Sequence, residues 1–97
     1  MAKENLGRVT PEYHANVIQI PQVSAGKEIN VRVDFPTEMS STGYAVFTQI
    51  FSTFSYWTNI SISVYNNQKT GFNLLIKNNG TGTSDSFFLW WFAMIYN

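Results

Sequence analysis

The C-terminal segment of this chain, residues 87–96, is apolar or aromatic at every position. A β-strand that is buried on one face alternates apolar with polar residues, because successive side chains point to opposite faces of the sheet. Here one face consists of Phe87, Leu89, Trp91, Ala93 and Ile95, and the other consists of Phe88, Trp90, Phe92, Met94 and Tyr96. One face can fill the core of the domain, so the other has to be buried against a different surface. In a chain of 97 residues we expect another copy of the chain to provide it, and the pattern therefore predicts an oligomer.

Five further segments carry the pattern of β-strands. In the clearest one, apolar residues at 29, 31, 33 and 35 alternate with polar residues at 28, 30, 32 and 34. This alternation is typical of a strand with one buried and one solvated face. The other predicted strands are 17–20, which Pro21 ends, 44–51, 60–65 and one that begins at 72.

No window of the chain shows a convincing helical repeat of 3.6 residues. The strands follow one another at short spacings with turn residues between them, which is typical of an antiparallel sandwich. We therefore predict an all-β fold, a six-stranded antiparallel β-sandwich over residues 15–97. Residues 1–14 lack periodicity and are predicted to be an N-terminal lead or linker.

The composition excludes several classes of site. With no cysteine, the chain can form neither a disulfide framework nor a zinc–thiolate site. Its six basic and six acidic residues do not form the basic stripe that nucleic-acid binding needs. No apolar run reaches the length of a membrane span, and residues 1–5 lack the apolar region of an export signal. We expect a soluble chain that folds in the cytoplasm and binds no nucleic acid; whether Met1 is the native start stays open.

Residues suited to catalysis are few. His14 is the only histidine, and in the aperiodic lead a structural or solvated role is the simpler interpretation. A serine or threonine nucleophile needs a base within hydrogen-bond reach, and no motif pairs one with His14. Asp34 and Glu38 flank Pro36 and could approach each other, although surface carboxylates are the simpler interpretation. We predict that the chain is not an enzyme, and a small hydrolase is the last-ranked alternative.

Motifs for cofactors and metals are also sparse. Gly80 and Gly82 match neither the Walker A motif nor a dinucleotide fingerprint. A calcium site needs several converging oxygens. Asn78, Asn79 and Asp85 share one loop, but only Asp85 supplies a carboxylate. We therefore predict no cofactor and no metal.

Two loops are better candidates for ligand binding. Residues 52–59 include Phe54, Tyr56 and Trp57 among Ser, Thr and Asn, and sugar sites combine an aromatic platform with a few polar groups. The alternative is that these aromatic residues cap the sandwich or lie between subunits. Residues 78–86 are rich in amides, hydroxyls and glycine, which suits hydrogen bonding to a ligand. The alternative for this segment is a flexible, solvated turn.

Three short motifs, taken in order, resemble those of a known family. They are VRVDFP at 31–36, the segment 60–66 running into KTGF at 69–72, and WFA at 91–93. Their order, their spacing and their position near the C-terminal end resemble those of the motifs in the H-type lectin fold. The resemblance is closer to the version found at the tips of bacteriophage tail fibres and related receptor-binding proteins, and it spans residues 29–96.

The resemblance implies a six-stranded sandwich that assembles as a homotrimer, with sugar sites in loops near the subunit boundaries. In animal H-type lectins, an arginine before the hairpin helps to bind N-acetylgalactosamine, and the matching position here is Asn59. Those lectins also carry a Trp-Ala-Asp-type segment before the last strand, whereas residues 78–86 contain no tryptophan. The fold is therefore implied, but the specificity for N-acetylgalactosamine is not.

These observations together predict a non-catalytic carbohydrate-binding domain of a phage or prophage tail-fibre adhesion protein. It would act as a homotrimer at the fibre tip of the virion and recognise a bacterial cell-surface saccharide. The alternative is a purely structural trimerisation or baseplate component without a sugar ligand. The predicted ligand-binding residues are Tyr56, Trp57, Asn59, Asn79, Thr81, Thr83 and Asp85. The family motif places Trp91 and Ala93 in the core, which leaves Phe88, Trp90 and Phe92 between subunits.

Overall fold

The computed structural model describes residues 11–51 and 59–96 of the chain and confirms the predicted all-β class. The strands are β1 (Pro11–Ile20), β2 (Glu28–Asp34), β3 (Ala45–Phe51), β4 (Ile60–Gln68), β5 (Gly71–Asn78) and β6 (Phe87–Tyr96). In this part of the chain, no helix is long and apolar enough to cross a membrane.

The six strands form two three-stranded antiparallel sheets that pack as a sandwich. Sheet A has the strand order β1–β6–β3, and sheet B has the order β2–β5–β4. Of the connections between these strands, β4–β5 stays within one sheet and the others cross between sheets. Ile20 and Phe51 pair with the first residues of β6, and Ile60 pairs with Asn78 at the end of β5. The backbone N–H of Gly26, in the loop that follows β1, donates to the carbonyl oxygen of Asn78 at 2.9 Å and joins these ends of the two sheets. We call this the loop end of the sandwich, and the opposite end, with the β4–β5 turn, the hairpin end.

Much of the core is formed by the inward-facing apolar residues of the two central strands, β5 and β6. Phe72, Leu74 and Ile76 of β5 are fully buried, and they face the inner side chains of β6. Trp91 is 5% exposed and Ala93 is 0% exposed, which confirms the predicted core face of β6. Burial of each large apolar side chain contributes about 1.5–3 kcal/mol, so the alternation decides which face of each central strand points inward.

Strand β1 begins at Pro11, whereas the hydrophobic pattern predicted a strand only over 17–20. Residues 11–14, assigned to the lead from the sequence, pair with the end of β6. The pattern is inverted here, because the half-buried residues are polar. Glu12 is one of them, and its carboxylate accepts hydrogen bonds from the backbone N–H and the hydroxyl of Ser40, at 3.0 and 2.8 Å. On the inner face of this part of β1, a polar side chain that is hydrogen-bonded to a loop therefore stands where the alternation rule expects an apolar residue.

His14 is the second half-buried polar residue of this segment. Its ring stacks on the ring of Phe35 with 4.9 Å between centres. Its Nε2 lies 2.9 Å from the carbonyl oxygen of Thr37 and 3.4 Å from the Thr37 hydroxyl. These contacts give His14 a structural role in joining β1 to the loop that follows β2.

The β4–β5 hairpin explains one of the three sequence motifs. Lys69 and Thr70 form the turn, and Gly71 opens β5 opposite Asp34 of β2. Gly71 has φ +156°, and a Cβ at this position would lie 2.0 Å from the carbonyl oxygen of Val33. Glycine permits this close approach of two backbones. The packing of β2 against β5 therefore accounts for the glycine of the Thr-Gly-Phe sequence.

Candidate functional site

The outward-facing side of sheet A is apolar and carries no charge in the described part of the chain. It is formed by the residues that alternate with the inward-facing ones along each strand. We call it the outer A face, and its residues are Tyr13, Ala15, Val17 and Gln19 of β1, Phe88, Trp90, Phe92 and Met94 of β6, and Ala45, Phe47, Gln49 and Phe51 of β3. Its polar groups are the amides of Gln19 and Gln49, the Tyr13 hydroxyl and the indole N–H of Trp90.

The central strand of this face shows the side-chain directions that the sequence predicted. Phe88 is 46% exposed and Trp90 is 49% exposed, whereas the intervening position Leu89 is 0% exposed. Phe92 is half-buried, because the ring of Tyr13 stacks on it with 5.6 Å between centres. Phe88, Trp90 and Phe92 therefore point away from the core, and their place between subunits stays a prediction.

The two flanking strands widen this face, and sequence reasoning missed their contribution. Phe47 and Phe51 of β3 are 59% and 63% exposed, and Tyr13 of β1 is 58% exposed. Phe51 stands edge-on to Trp90 with 6.2 Å between ring centres. The available signal was that β3, like β6, is largely apolar on both faces. For Tyr13 the sequence carried no comparable signal, because the start of β1 was not predicted.

A hollow of about 450 Å³ opens in the outer A face. Among the residues that line it are Ala15, Phe47, Gln49, Trp90 and Phe92. In the strand register Phe92 lies between Ala15 and Phe47. The small side chain of Ala15 therefore leaves space beside two aromatic rings, and the hollow can receive an apolar side chain of another molecule.

The loop end brings together part of the predicted ligand-binding set. The backbone N–H of Asn79 donates to the carbonyl oxygen of Asn59 at 2.7 Å. The Nδ2 of Asn79 donates to the hydroxyl of Ser61 at 3.0 Å. Residues from two segments of the sequence thus meet where β4 begins and β5 ends.

Two buried polar side chains hold the loop between β5 and β6. Asn78 is 0% exposed, and its Nδ2 donates to the carbonyl oxygens of Val23 at 3.0 Å and Gly82 at 2.8 Å. Ser84 is 1% exposed, and its hydroxyl accepts a hydrogen bond from the N–H of Val23 at 3.0 Å. The N–H of Ser84 donates back to the Val23 carbonyl at 3.0 Å. The loop is thereby attached at two points to the β1–β2 loop.

The outer side of this loop displays the other predicted residues. Thr81, Thr83 and Asp85 are exposed, and they alternate with half-buried and buried positions. Their hydroxyls and carboxylate face solvent and are available for hydrogen bonding. Tyr56 and Trp57 lie outside the described residues, and their role as an aromatic platform stays a prediction.

The acidic groups of the described residues form no cluster that could hold a metal ion. Asp34, considered from the sequence as a partner for Glu38, pairs with Arg32 with 3.0 Å between Oδ1 and Nε. Within residues 11–51 and 59–96, no three histidine, cysteine, aspartate or glutamate side chains lie close enough to hold a metal ion.

Tyr44 is a titratable residue buried between the sheets, away from both candidate surfaces. Its hydroxyl oxygen lies 2.7 Å from the carbonyl oxygen of Gln68 and 2.8 Å from that of Gly71. Burial raises the pKa of Tyr44 above 10.0, while the hydrogen bond to Gln68 and the charge of Arg32 act in the opposite direction. The phenol is therefore neutral at physiological pH and acts as a hydrogen-bonded part of the core.

No family model and no curated protein sequence matches this chain. The class that the structure establishes is an all-β sandwich of two three-stranded antiparallel sheets. Folds of this general kind host many unrelated functions, so the function depends on the surfaces that the chain presents. Those surfaces are the outer A face and the loop end.

Proposed function

We propose that this chain is a non-catalytic host-recognition domain that works as a homotrimer. In this proposal the outer A face forms the subunit interface, and the loop end binds a bacterial cell-surface saccharide. Such a domain would form the tip of a phage or prophage tail fibre, as the resemblance to H-type lectin-like domains implies. The observation that carries the proposal is the outer A face, a three-stranded surface without a charged side chain.

An exposed surface of this composition favours burial in an assembly. Phe47, Phe51 and Trp90 are 59%, 63% and 49% exposed in the single chain. Removing apolar surface from water contributes roughly 25 cal/mol per Å², and large contiguous apolar patches on soluble proteins mark interaction sites. The buried centres of protein interfaces are depleted in charge and enriched in aromatic residues. The outer A face has this composition.

A second copy of the chain is the partner that fits this face best. The aromatic and aliphatic side chains of such a face can interdigitate with those of neighbouring copies. The hollow beside Ala15 offers space for an aromatic side chain of the neighbouring copy, such as Phe51. The number three comes from the family resemblance, and closed cyclic symmetry is the usual form of homo-oligomers.

The loop end supplies the saccharide-binding part of the proposal. Asn79, Thr81, Thr83 and Asp85 offer an amide, two hydroxyls and a carboxylate on one short loop. The two buried anchors of that loop position these groups before a ligand arrives. Three copies on one axis would display three such loops, and three weak sites bind a cell surface more tightly than one.

The alternative is a structural trimerisation or baseplate component of the virion that binds no sugar. The outer A face supports this alternative equally, because an interface between copies does not require a ligand. The two functions therefore differ at the loop end, and they need separate experiments.

Sedimentation equilibrium at low micromolar concentration tests the assembly. We expect a particle with three times the chain mass of 11.1 kDa. A monomer at every concentration up to about 100 μM would contradict both the host-recognition domain and its structural alternative.

Binding to immobilised bacterial polysaccharides tests the ligand. We expect the double variant Asn79→Ala, Asp85→Ala to bind more weakly than the parent while it keeps the mass of the parent. Ser86→Ala is the matched control, because Ser86 is exposed in the same loop and lies outside the predicted set. Unchanged binding by the double variant would reject the loop end as the saccharide site. No binding by the parent chain would favour the structural alternative.

A further inference from the structure

The outward-facing side of sheet B is polar, and near the hairpin end it holds an ordered group of side chains around an exposed tyrosine. We call this whole side the outer B face. Its residues are Glu28, Asn30, Arg32 and Asp34 of β2, Asn73, Leu75 and Lys77 of β5, and Ser61, Ser63 and Tyr65 of β4. Arg32, Asn73 and Tyr65 share one row across the three strands.

The guanidinium of Arg32 is held by three neighbouring side chains. Its Nε donates to Asp34 at 3.0 Å, its Nη1 to the Oδ1 of Asn73 at 3.1 Å, and its Nη2 to the hydroxyl of Thr70 at 2.9 Å. A guanidinium carries five N–H groups, so two remain without an acceptor among the described residues. The side chain of Arg32 is 30% exposed. Arg32 therefore presents fixed donors that a ligand can reach.

Asn73 adds further donors in the same row. Its Oδ1 accepts hydrogen bonds from Arg32 and from the Nδ2 of Asn66 at 3.0 Å, and these two bonds fix the orientation of the amide. The Nδ2 of Asn73 makes no hydrogen bond within the described residues. No buried side-chain nitrogen or oxygen in that part of the chain lacks a partner, so this Nδ2 reaches solvent.

Asn66 reaches Asn73 because of an irregularity in β4. The pairing of β4 with β5 shifts between Tyr65 and Gln68, and Asn66 has a positive φ of 56°. Asparagine adopts this left-handed conformation more readily than most residues. The irregularity thus contributes to the order of the donor group.

Tyr65 provides an aromatic surface beside these donors. Its side chain is 43% exposed, and its hydroxyl donates to the Oδ1 of Asn30 on β2. Tyr65 lies in the row of Asn73, whereas Asn30 lies in the row of Leu75. The side chain therefore reaches diagonally across β5 towards β2, and much of it stays open to solvent.

We propose that Tyr65, Arg32, Asn73 and Asp34 form a second saccharide site, which takes a neutral sugar residue. The apolar face of a sugar ring packs on an aromatic face, and its hydroxyls need both donors and acceptors nearby. Arg32 and Asn73 supply the donors, and Asp34, which is 75% exposed, supplies an acceptor. This site lies near the hairpin end and does not depend on the loop end.

The charges of this group favour a neutral ligand over an acidic one. Asp34 neutralises Arg32 at 3.0 Å, and its exposed carboxylate repels a second anion. A free guanidinium would instead select carboxylates or phosphates. The outer B face also points away from the outer A face, so assembly through sheet A leaves the site open in every copy.

Two-dimensional NMR of the intact chain with glucose, galactose and N-acetylglucosamine tests the site. With each sugar at about 10 mM, sites with Kd near 1 mM are largely occupied. We expect at least one neutral sugar to shift the side-chain signals of Arg32, Asn73 and Tyr65. No shift of these signals with any of the three, or a response to glucuronic acid alone, would overturn the proposal.

Variants separate this site from the loop end and from simple unfolding. We expect Arg32→Lys, which lacks the fork of donors, to bind the sugar about tenfold more weakly, and Tyr65→Ser to bind it more weakly as well. Tyr65→Phe keeps the ring and is expected to retain most of the affinity. Thermal unfolding by circular dichroism checks that each variant folds. Parent-like affinity in both Arg32→Lys and Tyr65→Ser would contradict the proposal.

Asp85→Ala serves as the control at the loop end. We expect it to leave the shifts at Arg32, Asn73 and Tyr65 unchanged. Loss of those shifts in Asp85→Ala would overturn the second site. Failure of the loop end to bind polysaccharide would leave these signals unaffected, so the two proposals fail in distinguishable ways.

Discussion

The outer A face and the outer B face have the same three-stranded antiparallel backbone but differ in the chemistry of their side chains. Both belong to three-stranded antiparallel sheets whose inner sides fill one common core. The outer B face carries charged residues on two of its strands, and they are Glu28, Arg32, Asp34 and Lys77. The outer A face carries aromatic and aliphatic residues at most of the corresponding positions and no charge.

This difference shows which part of a strand pattern serves folding. A sandwich needs apolar side chains on the inner face of each sheet, and both sheets meet that need. The outer face can vary, and its composition then decides what covers it. Water can hydrogen-bond to the polar groups of the outer B face. Burial of the outer A face against another apolar surface is favourable, because it removes apolar side chains from water. The comparison therefore supports the two proposals made above, self-association through the outer A face and ligand binding on the solvent-exposed outer B face.

The largest expected effect comes from placing a positive charge on each face in turn. Trp90→Lys should weaken self-association by at least about 3 kcal/mol, because an ammonium group without a partner would be buried in the interface. Tyr65→Lys is the matched substitution on the outer B face, and it should leave the mass unchanged. Sedimentation equilibrium measures both variants, with thermal unfolding as the check on folding. Equal assembly of the two variants would remove the distinction between the faces.

Alkaline pH tests the core beneath both faces. The raised pKa of Tyr44 favours the neutral phenol in the folded state. Its contribution to stability is complete below the unfolded pKa of about 10 and is lost as pH rises through the higher folded pKa. We expect urea denaturation to show that the free energy of unfolding decreases as the pH rises above about 10. Tyr44→Phe should flatten this decrease and cost about 1 kcal/mol at neutral pH.

Tyr65→Phe is the control for this experiment, because Tyr65 is exposed on the outer B face, outside the proposed subunit interface. It should leave the alkaline decrease in place. A decrease that persists in Tyr44→Phe would show that the phenol in the core is not its cause.

A smaller effect is expected from the ion pair on the outer B face. Arg32→Ala should lower the free energy of unfolding by at most about 1 kcal/mol, because exposed ion pairs contribute little to stability. The mass of the assembly should not change. Urea denaturation and sedimentation measure the two quantities, with Asp34→Asn as the conservative comparison. Dissociation of the assembly by Arg32→Ala would place the outer B face in the interface.

The smallest effect is expected from salt. Self-association through the outer A face should change by less than about threefold in its dissociation constant between low and high salt, because that face has no charge to screen. Sedimentation at several sodium chloride concentrations measures this change. A steep weakening with salt would show that charged residues, and hence another surface, hold the copies together.

The fold class was predictable because its signal is local. Alternation over 29–35 and the apolar segment 87–96 appear in any reading of the chain, and a helical repeat is missing. The start of β1 was not predictable in this way. At Glu12 and His14 the inner face is polar, and the partners that satisfy it, Ser40 and Thr37, come from a distant loop.

The candidate sites were less accessible to sequence reasoning. The loop 78–86 was identified by its composition, but the burial of Asn78 and Ser84 depends on contacts with Val23 in another loop. The group around Arg32 was missed because its members come from three strands. Arg32 and Asn73, for example, lie 41 residues apart in the sequence.

By itself the sequence determined the strand character of its segments and the two-faced apolar nature of β6. Both follow from the alternation of neighbouring side chains, which acts within a few residues. The tertiary structure decided which strands lie side by side, which polar residues are buried and which aromatic residues share the outer A face. These features depend on pairings such as Val23 with Ser84, which are 61 residues apart. No local pattern encodes such contacts, because they form only when the two sheets pack together.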